Sequence, residues 1–114
     1  MKATIWHNPN CSKSCMALET LQQREGIDLT VIPYLKHPPT PEKLAQLYRD
    51  AGIPAREGLR LSGTDAKEMG LTEADDATVI AAMVVGPKLI ERPLVETEKG
   101  VRLCRPPERI EEIL

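Results

Sequence analysis

Cys11 lies where an apolar run, Ala3-Thr4-Ile5-Trp6, passes through His7-Asn8-Pro9-Asn10 into a helix-like run beginning near Ser12. A thiol in the first turn of a helix faces unpaired backbone N–H groups and the positive end of the helix dipole. Both favour the thiolate, the nucleophilic form, and such sites reach pKa values of roughly 3.5–7.5. His7, four residues back, adds positive charge when protonated. A small buried core thiol is the plain alternative, and the position at a strand-to-helix junction argues against it. Three arginines, Arg60, Arg92 and Arg105, sit at the edges of elements rather than mid-face. A guanidinium is planar, always charged and suited to gripping tetrahedral oxyanions through paired hydrogen bonds. Spacing alone does not separate these three from the surface charges expected at Arg24, Arg49, Arg56, Arg102 and Arg109.

The elements that must position these groups follow from periodicity and breakers. Ala3–Trp6 reads as a strand. Ser12–Glu25 reads as an amphipathic helix with Cys15, Leu18 and Leu21 as its inner face and Gly26 ending it. Asp28–Leu35, rich in β-branched and apolar residues, reads as a second strand. A crossover this short makes the two strands parallel. After the break His37-Pro38-Pro39, Thr40 is an N-cap with Pro41 at the first helical position. A helix over Pro41–Ala51 follows, carrying Leu44 and Leu47, and Gly52 closes it. Arg56–Leu61 and Ala66–Met69 suggest short helical turns. Thr72–Val85 reads as a helix capped by Thr72, with Val79, Ile80, Met83 and Val84 at helical spacing. The acidic residues Glu73, Asp75 and Asp76 complement its dipole, and no metal site is expected among them. Strands over Lys88–Glu91 and Pro93–Thr97 come next, the latter pairing with Val101–Arg105 through a loop ending in Gly100. Pro106-Pro107 breaks the chain before a closing helix over Glu108–Leu114.

Composition narrows the class. With 114 residues, one compact domain is expected over 1–114. At 41% hydrophobic, with no Phe, one Trp and two Tyr, the core must be aliphatic. A net charge of −2 gives no bulk electrostatic case for nucleic acid or an anionic membrane. No apolar run approaches the ~20 residues of a membrane span, and Met1-Lys2-Ala3 leads into a strand rather than a signal peptide. Three cysteines are too few and too odd in number for a disulfide framework, so a reducing cytoplasm is expected. Nothing in the composition demands more than a monomer.

The order β-α-β, helices, β-β-α with a cysteine after the first strand predicts an α/β, thioredoxin-like (glutaredoxin-like) fold. An all-helical insertion over about 41–86 would separate strands two and three. In that fold a cis proline precedes the third strand beside the thiol, and Pro93 occupies that position.

The loop His7-Asn8-Pro9-Asn10-Cys11-Ser12-Lys13-Ser14 resembles the active-site loop of the glutaredoxin-coupled arsenate reductases, the ArsC family. Tyr34-Leu35 with Pro38-Pro39-Thr40, Gly52-Ile53 with Leu59-Arg60, Ile90 to Val95 and Arg102 to Glu108 resemble four further blocks of that family in the same order. The resemblance implies Cys11 as nucleophile, with His7 helping to keep it ionised. It implies Arg60, Arg92 and Arg105 as oxyanion ligands, with Asn8 and Ser14 of the loop also binding substrate. It implies arsenate as substrate, glutathione as co-substrate, glutaredoxin as partner and no bound cofactor or metal. The loop departs from its relatives at Cys15, where Arg is common. On a helix Cys15 points back toward Cys11, but i, i+4 Cβ atoms lie about 5–6 Å apart and a disulfide wants about 3.5–4.5 Å. A buried or semi-buried helix thiol is therefore expected at Cys15, rather than a resolving one, and Cys104 is expected to pack in a strand.

Two other functions fit the same scaffold. A glutathione-linked thiol–disulfide oxidoreductase needs Cys11 but not all three arginines. A redox-sensing regulator that binds RNA polymerase needs a Cys-x-x-Cys switch, and Ser14 stands where its second cysteine belongs.

Overall fold

The computed structural model of the protein describes residues 1–114. Two compact units make it up, Met1–His37 with Arg92–Leu114, and Pro38–Glu91. The first unit is therefore built from both ends of the chain.

Its sheet has four strands: β1 (Lys2–His7), β2 (Asp28–Pro33), β3 (Leu94–Thr97) and β4 (Gly100–Leu103), in the order β2-β1-β3-β4. β1 and β2 are parallel, with Ile5 opposite Val31, as the crossover through α1 (Ser12–Gln23) requires. β3 runs antiparallel to β1, Ile5 facing Val95, and β4 returns from it as a hairpin. The alternation of β1 sends Ala3 and Ile5 to one face. There they pack with Ala17 and Leu21 of α1, Val95 of β3, and Cys104, Ile110 and Ile113 from the C-terminal segment. Ile5 and Leu21 are all but sealed from solvent, so truncating either to Ala costs about 2–5 kcal/mol.

Two expectations in this unit are corrected. The inner face of α1 is Ser14, Ala17 and Leu21, whereas Cys15 is exposed and Leu18 half-buried. The helix starts at Ser12 with Cys11 as its cap, and that phase turns Cys15 outward. The closing element is a 3-10 helix, Pro107–Ile113. Its buried residues Pro107, Ile110 and Ile113 recur every three positions, matching three residues per turn.

In the second unit, α2 (Pro41–Ala51) begins as expected. Thr40 Oγ1 accepts the Lys43 N–H at 3.1 Å, and Gly52 closes the helix in the left-handed region at φ +73°. α3 (Asp76–Val85) is capped by Asp75 rather than Thr72, its carboxylate accepting the Thr78 N–H at 2.8 Å. The Thr78 hydroxyl, and after it this N–H, hold the Asp75 carboxyl below its ordinary value. A carboxylate is the stronger acceptor at a positive helix end, and Thr72 is taken up in a 3-10 turn, Leu71–Glu73. Leu44, Leu47 and Tyr48 of α2 and Val79, Ile80 and Met83 of α3 are buried, and Tyr48 Oη donates to Met83 Sδ at 3.5 Å. The turn expected near Arg56 is a 3-10 helix at Ala55–Gly58, and Ala66–Met69 lies in hydrogen-bonded turns rather than helix. The expected strand Lys88–Glu91 is absent. Pro87–Leu89 forms a 3-10 turn, and a single antiparallel bridge joins Leu59 to Ile90. No helix is long and apolar enough to cross a membrane.

Candidate active site

β1 delivers His7 at its last position, and the loop Asn8–Asn10 turns the chain into α1. Asn8 builds that loop. Its carbonyl accepts the Cys11 N–H at 3.1 Å, and its side-chain Oδ1 accepts the Asn10 N–H at 2.9 Å. Ser14, wholly buried, ties loop and helix together: its Oγ accepts the Asn8 N–H at 3.1 Å and lies 2.6 Å from His7 Nδ1. A hydroxyl that accepts from Asn8 can donate its own proton to an unprotonated Nδ1.

Cys11 caps α1 with extended backbone, φ −110° and ψ 119°, and its side chain is 6% exposed. Burial pushes its thiol up, but opposing influences prevail and the pKa is lowered. They are the Ser14 N–H, the positive charge of Arg92, the Lys13 N–H and the charge of Arg105. The sulfur thus sits in a cap where main-chain donors and two guanidinium charges favour the thiolate.

Arg92 and Arg105 are brought together by the hairpin. Leu94 pairs with Leu103, the Cys104 N–H donates to the Pro93 carbonyl at 2.9 Å, and Arg105 Nη1 donates to the Arg92 carbonyl at 3.1 Å. The Arg92–Pro93 peptide is cis, and so is Arg105–Pro106, which sequence reading did not anticipate. Arg60 belongs to the second unit, where its N–H donates to the Leu89 carbonyl at 2.8 Å. Its buried Nε has no hydrogen-bond partner, a donor left open for an acceptor.

Burial lowers the His7 pKa below its ordinary value, which works against the positive charge that residue type suggests. Its ring is tied to Ser14, whose backbone N–H is among the donors that lower the Cys11 pKa. The Ser14 hydroxyl is shared between His7 and Asn8. Sequence reading missed this tie, although a hydroxyl three residues into a helix was its signal. Cys104 packs in the core, its thiol 3.7 Å from the Arg102 carbonyl and pushed up to about 12 by burial. No cluster of three or more His, Cys, Asp or Glu side chains is placed to hold a metal ion.

A four-stranded mixed sheet with an acidic cysteine at the first crossover defines a thioredoxin-like thiol protein. Residues 6–113 match the ArsC family. The arsenate reductase of Yersinia enterocolitica is 43% identical over 113 residues, spanning 97% of this chain and 79% of the relative. That of Rhizobium meliloti is 40% identical over 116 residues, covering all of this chain and 82% of its own. The solved arsenate reductase of Vibrio cholerae superimposes with a TM-score of 0.90 at 41% identity, covering 100% of this chain and 98% of that one. The chain belongs to the ArsC family.

Proposed function

We propose that this protein reduces arsenate to arsenite with Cys11 as nucleophile and glutathione and glutaredoxin as reductants. The observation that carries the reading is the lowered pKa of Cys11, with the Ser14 N–H, the charge of Arg92, the Lys13 N–H and the charge of Arg105 acting against burial. Relatives at about 40% identity carry the name arsenate reductase. An anionic nucleophile meets an anionic substrate here, and the guanidinium charges offset their repulsion. The sulfur attacks arsenic and one arsenate oxygen departs as water after taking up protons. Glutathione then displaces a second oxygen as water. A glutaredoxin thiolate attacks the glutathione sulfur, the arsenic–sulfur electron pair stays on arsenic, and As(V) becomes As(III). Hydrolysis of the remaining Cys11–arsenic bond frees arsenite and returns the thiolate. The sequence of steps needs no metal and no bound organic cofactor. Arg60's expected share in oxyanion binding rests on the motif around it and its open Nε. A monomer in a glutathione-rich cytoplasm, with three free thiols, suits this chemistry.

The test is arsenate-dependent NADPH oxidation coupled through glutathione, glutaredoxin and glutathione reductase, with Cys11→Ser and Arg92→Ala as variants. Turnover in the wild type that is abolished by Cys11→Ser and cut at least tenfold by Arg92→Ala supports the reading. A wild type that does not turn over, while Cys11 still titrates low, moves the function to another thiol-redox substrate.

A further inference from the structure

Cys15 has no task in the scheme above, and the structure removes the packing role expected for it. It is the fourth residue of α1, one turn beyond Cys11, and its side chain is exposed. Its thiol leans back toward the loop that precedes the helix and donates to the Pro9 carbonyl at 3.4 Å, the direction in which helical side chains tilt. One turn of chain thus carries two thiols of opposite character. Cys11 is buried and gripped by main-chain N–H groups, whereas Cys15 is open to solvent and turned toward the loop that delivers Cys11.

We infer that Cys15 is the resolving thiol of the reaction, releasing arsenite from the Cys11–arsenic adduct by forming a Cys11–Cys15 disulfide. The inference rests on the arsenate reading of Cys11 and deepens it by supplying the second thiol from within the chain. The Cys15 thiol gives its proton to water and its sulfur attacks Cys11 Sγ. The Cys11–arsenic bond breaks with its electron pair on arsenic, As(V) becomes As(III), and arsenite leaves. The two cysteines together lose two electrons. Over the whole step, two thiols, one dihydrogen arsenate and one proton give one disulfide, one arsenous acid and one water. Glutathione, through glutaredoxin, then reduces the protein disulfide rather than joining arsenic, so its overall consumption is unchanged.

The geometry of the first turn makes the approach local. Helical Cβ atoms at i, i+4 must close by roughly 1–2 Å to reach disulfide spacing. Across this turn a single main-chain helical bond ties the pair, Cys15 N–H to the Cys11 carbonyl at 3.0 Å. The N–H groups of Ser12, Lys13 and Ser14 precede the first helical hydrogen bond. Cys11 is already extended and outside the helix, so the adjustment that joins the pair can fall on the cap and the preceding loop. Once Cys11 carries arsenic it is no longer an anion, and the Lys13 and Ser14 N–H groups lose the charge that fixed it.

The test is a single turnover of the fully reduced chain with excess arsenate and no glutathione, beside the coupled assay with glutathione and glutaredoxin. The expected result is one arsenite per chain, a fall from three free thiols to one, and a Cys11–Cys15 cross-link in the peptide map that leaves Cys104 reduced. Cys15→Ser, an exposed and nearly isosteric change, should release no arsenite in the glutathione-free arm. Arsenite from the wild type only when glutathione is present overturns the resolving role and leaves the arsenate reading standing. Equal release by Cys15→Ser without glutathione also overturns it. Arsenite in neither arm overturns both.

Discussion

Replacing Ser14 by Ala removes one oxygen from the centre of the loop–helix tie. Two groups lose their partner at once: the Asn8 N–H, 3.1 Å from Ser14 Oγ, and His7 Nδ1, 2.6 Å from it. Ser14 is wholly buried, with His7 and Asn8 at 9% and 5% exposure, so water cannot readily take the place of the hydroxyl. A buried polar group left unpaired costs about 1–3 kcal/mol. The two together set an expected loss of about 2–4 kcal/mol, since one hydroxyl serves both. That is a large share of the roughly 5–15 kcal/mol that holds a domain together, and it lowers the melting midpoint by ~10 °C. Urea unfolding measures it directly, because the chain's one Trp, Trp6, is buried next to His7 and reports on this corner of the fold. A loss below about 0.5 kcal/mol, with an unchanged denaturant slope, would refute the reasoning: the hydroxyl would not then be the sole partner of two dry groups.

Cys11 should alkylate with a pH midpoint below that of an ordinary thiol, and Arg92→Ala or Arg105→Ala should each raise it, because both charges hold the thiol down. Peptide-resolved iodoacetamide labelling separates it from Cys15, and unchanged midpoints in both variants would defeat the electrostatic account. Burial lowers the His7 pKa, so the unfolded chain binds more protons than the folded one between the folded value and the ordinary 6.5. Stability should therefore be full above pH 6.5 and fall as pH drops through that window, and His7→Gln should flatten this limb in urea titrations taken at several pH values. A Cβ at Gly58 would overlap the ring of buried Tyr48. Gly58→Ala should accordingly cost about 1–3 kcal/mol through overpacking, and a thermal melt indistinguishable from wild type would contradict it. Cys104, sealed and pushed up to about 12, should resist alkylation at neutral pH until the chain is unfolded, as timed labelling with and without urea would show.

The placement of Cys11 at the helix cap was legible because its signal is local: a cysteine between a strand and a helix start, with main-chain donors set by the helix itself. The caps at Thr40 and Gly52 were legible for the same reason. Sequence went astray where two local signals competed or where burial decided. Thr72 and Asp75 both suit a cap, and only the observed hydrogen bond to Thr78 settles which one starts α3. Cys15 shares its helical spacing with Leu18 and looks buried on periodicity, yet a helix phase fixed by the Cys11 cap turns it outward. His7 carries a plus sign in any reading by residue type, and the burial that works against it is encoded in no local pattern. Lys88–Glu91 has strand-like residues but lies against a Pro87 turn and gains one bridge in place of a ladder. The pairing of Arg92 with Arg105 required knowing the hairpin register, which Gly100 and the break at Pro106 indicated only approximately.

The site-bearing unit joins residues 1–37 to residues 92–114, and this has a consequence for the order in which the protein matures. A ribosome releases Cys11, its loop and α1 early, along with the strand β2. The strand that pairs with β1 on its other side, and both arginines that lower the thiol pKa, are translated only after the whole of residues 38–91. During most of synthesis the nascent chain therefore carries a cysteine without its electrostatic activation. The pull toward thiolate arises only once residues 92–105 have emerged and folded against β1, so a nascent chain that lacks them offers oxidants and electrophiles a duller target.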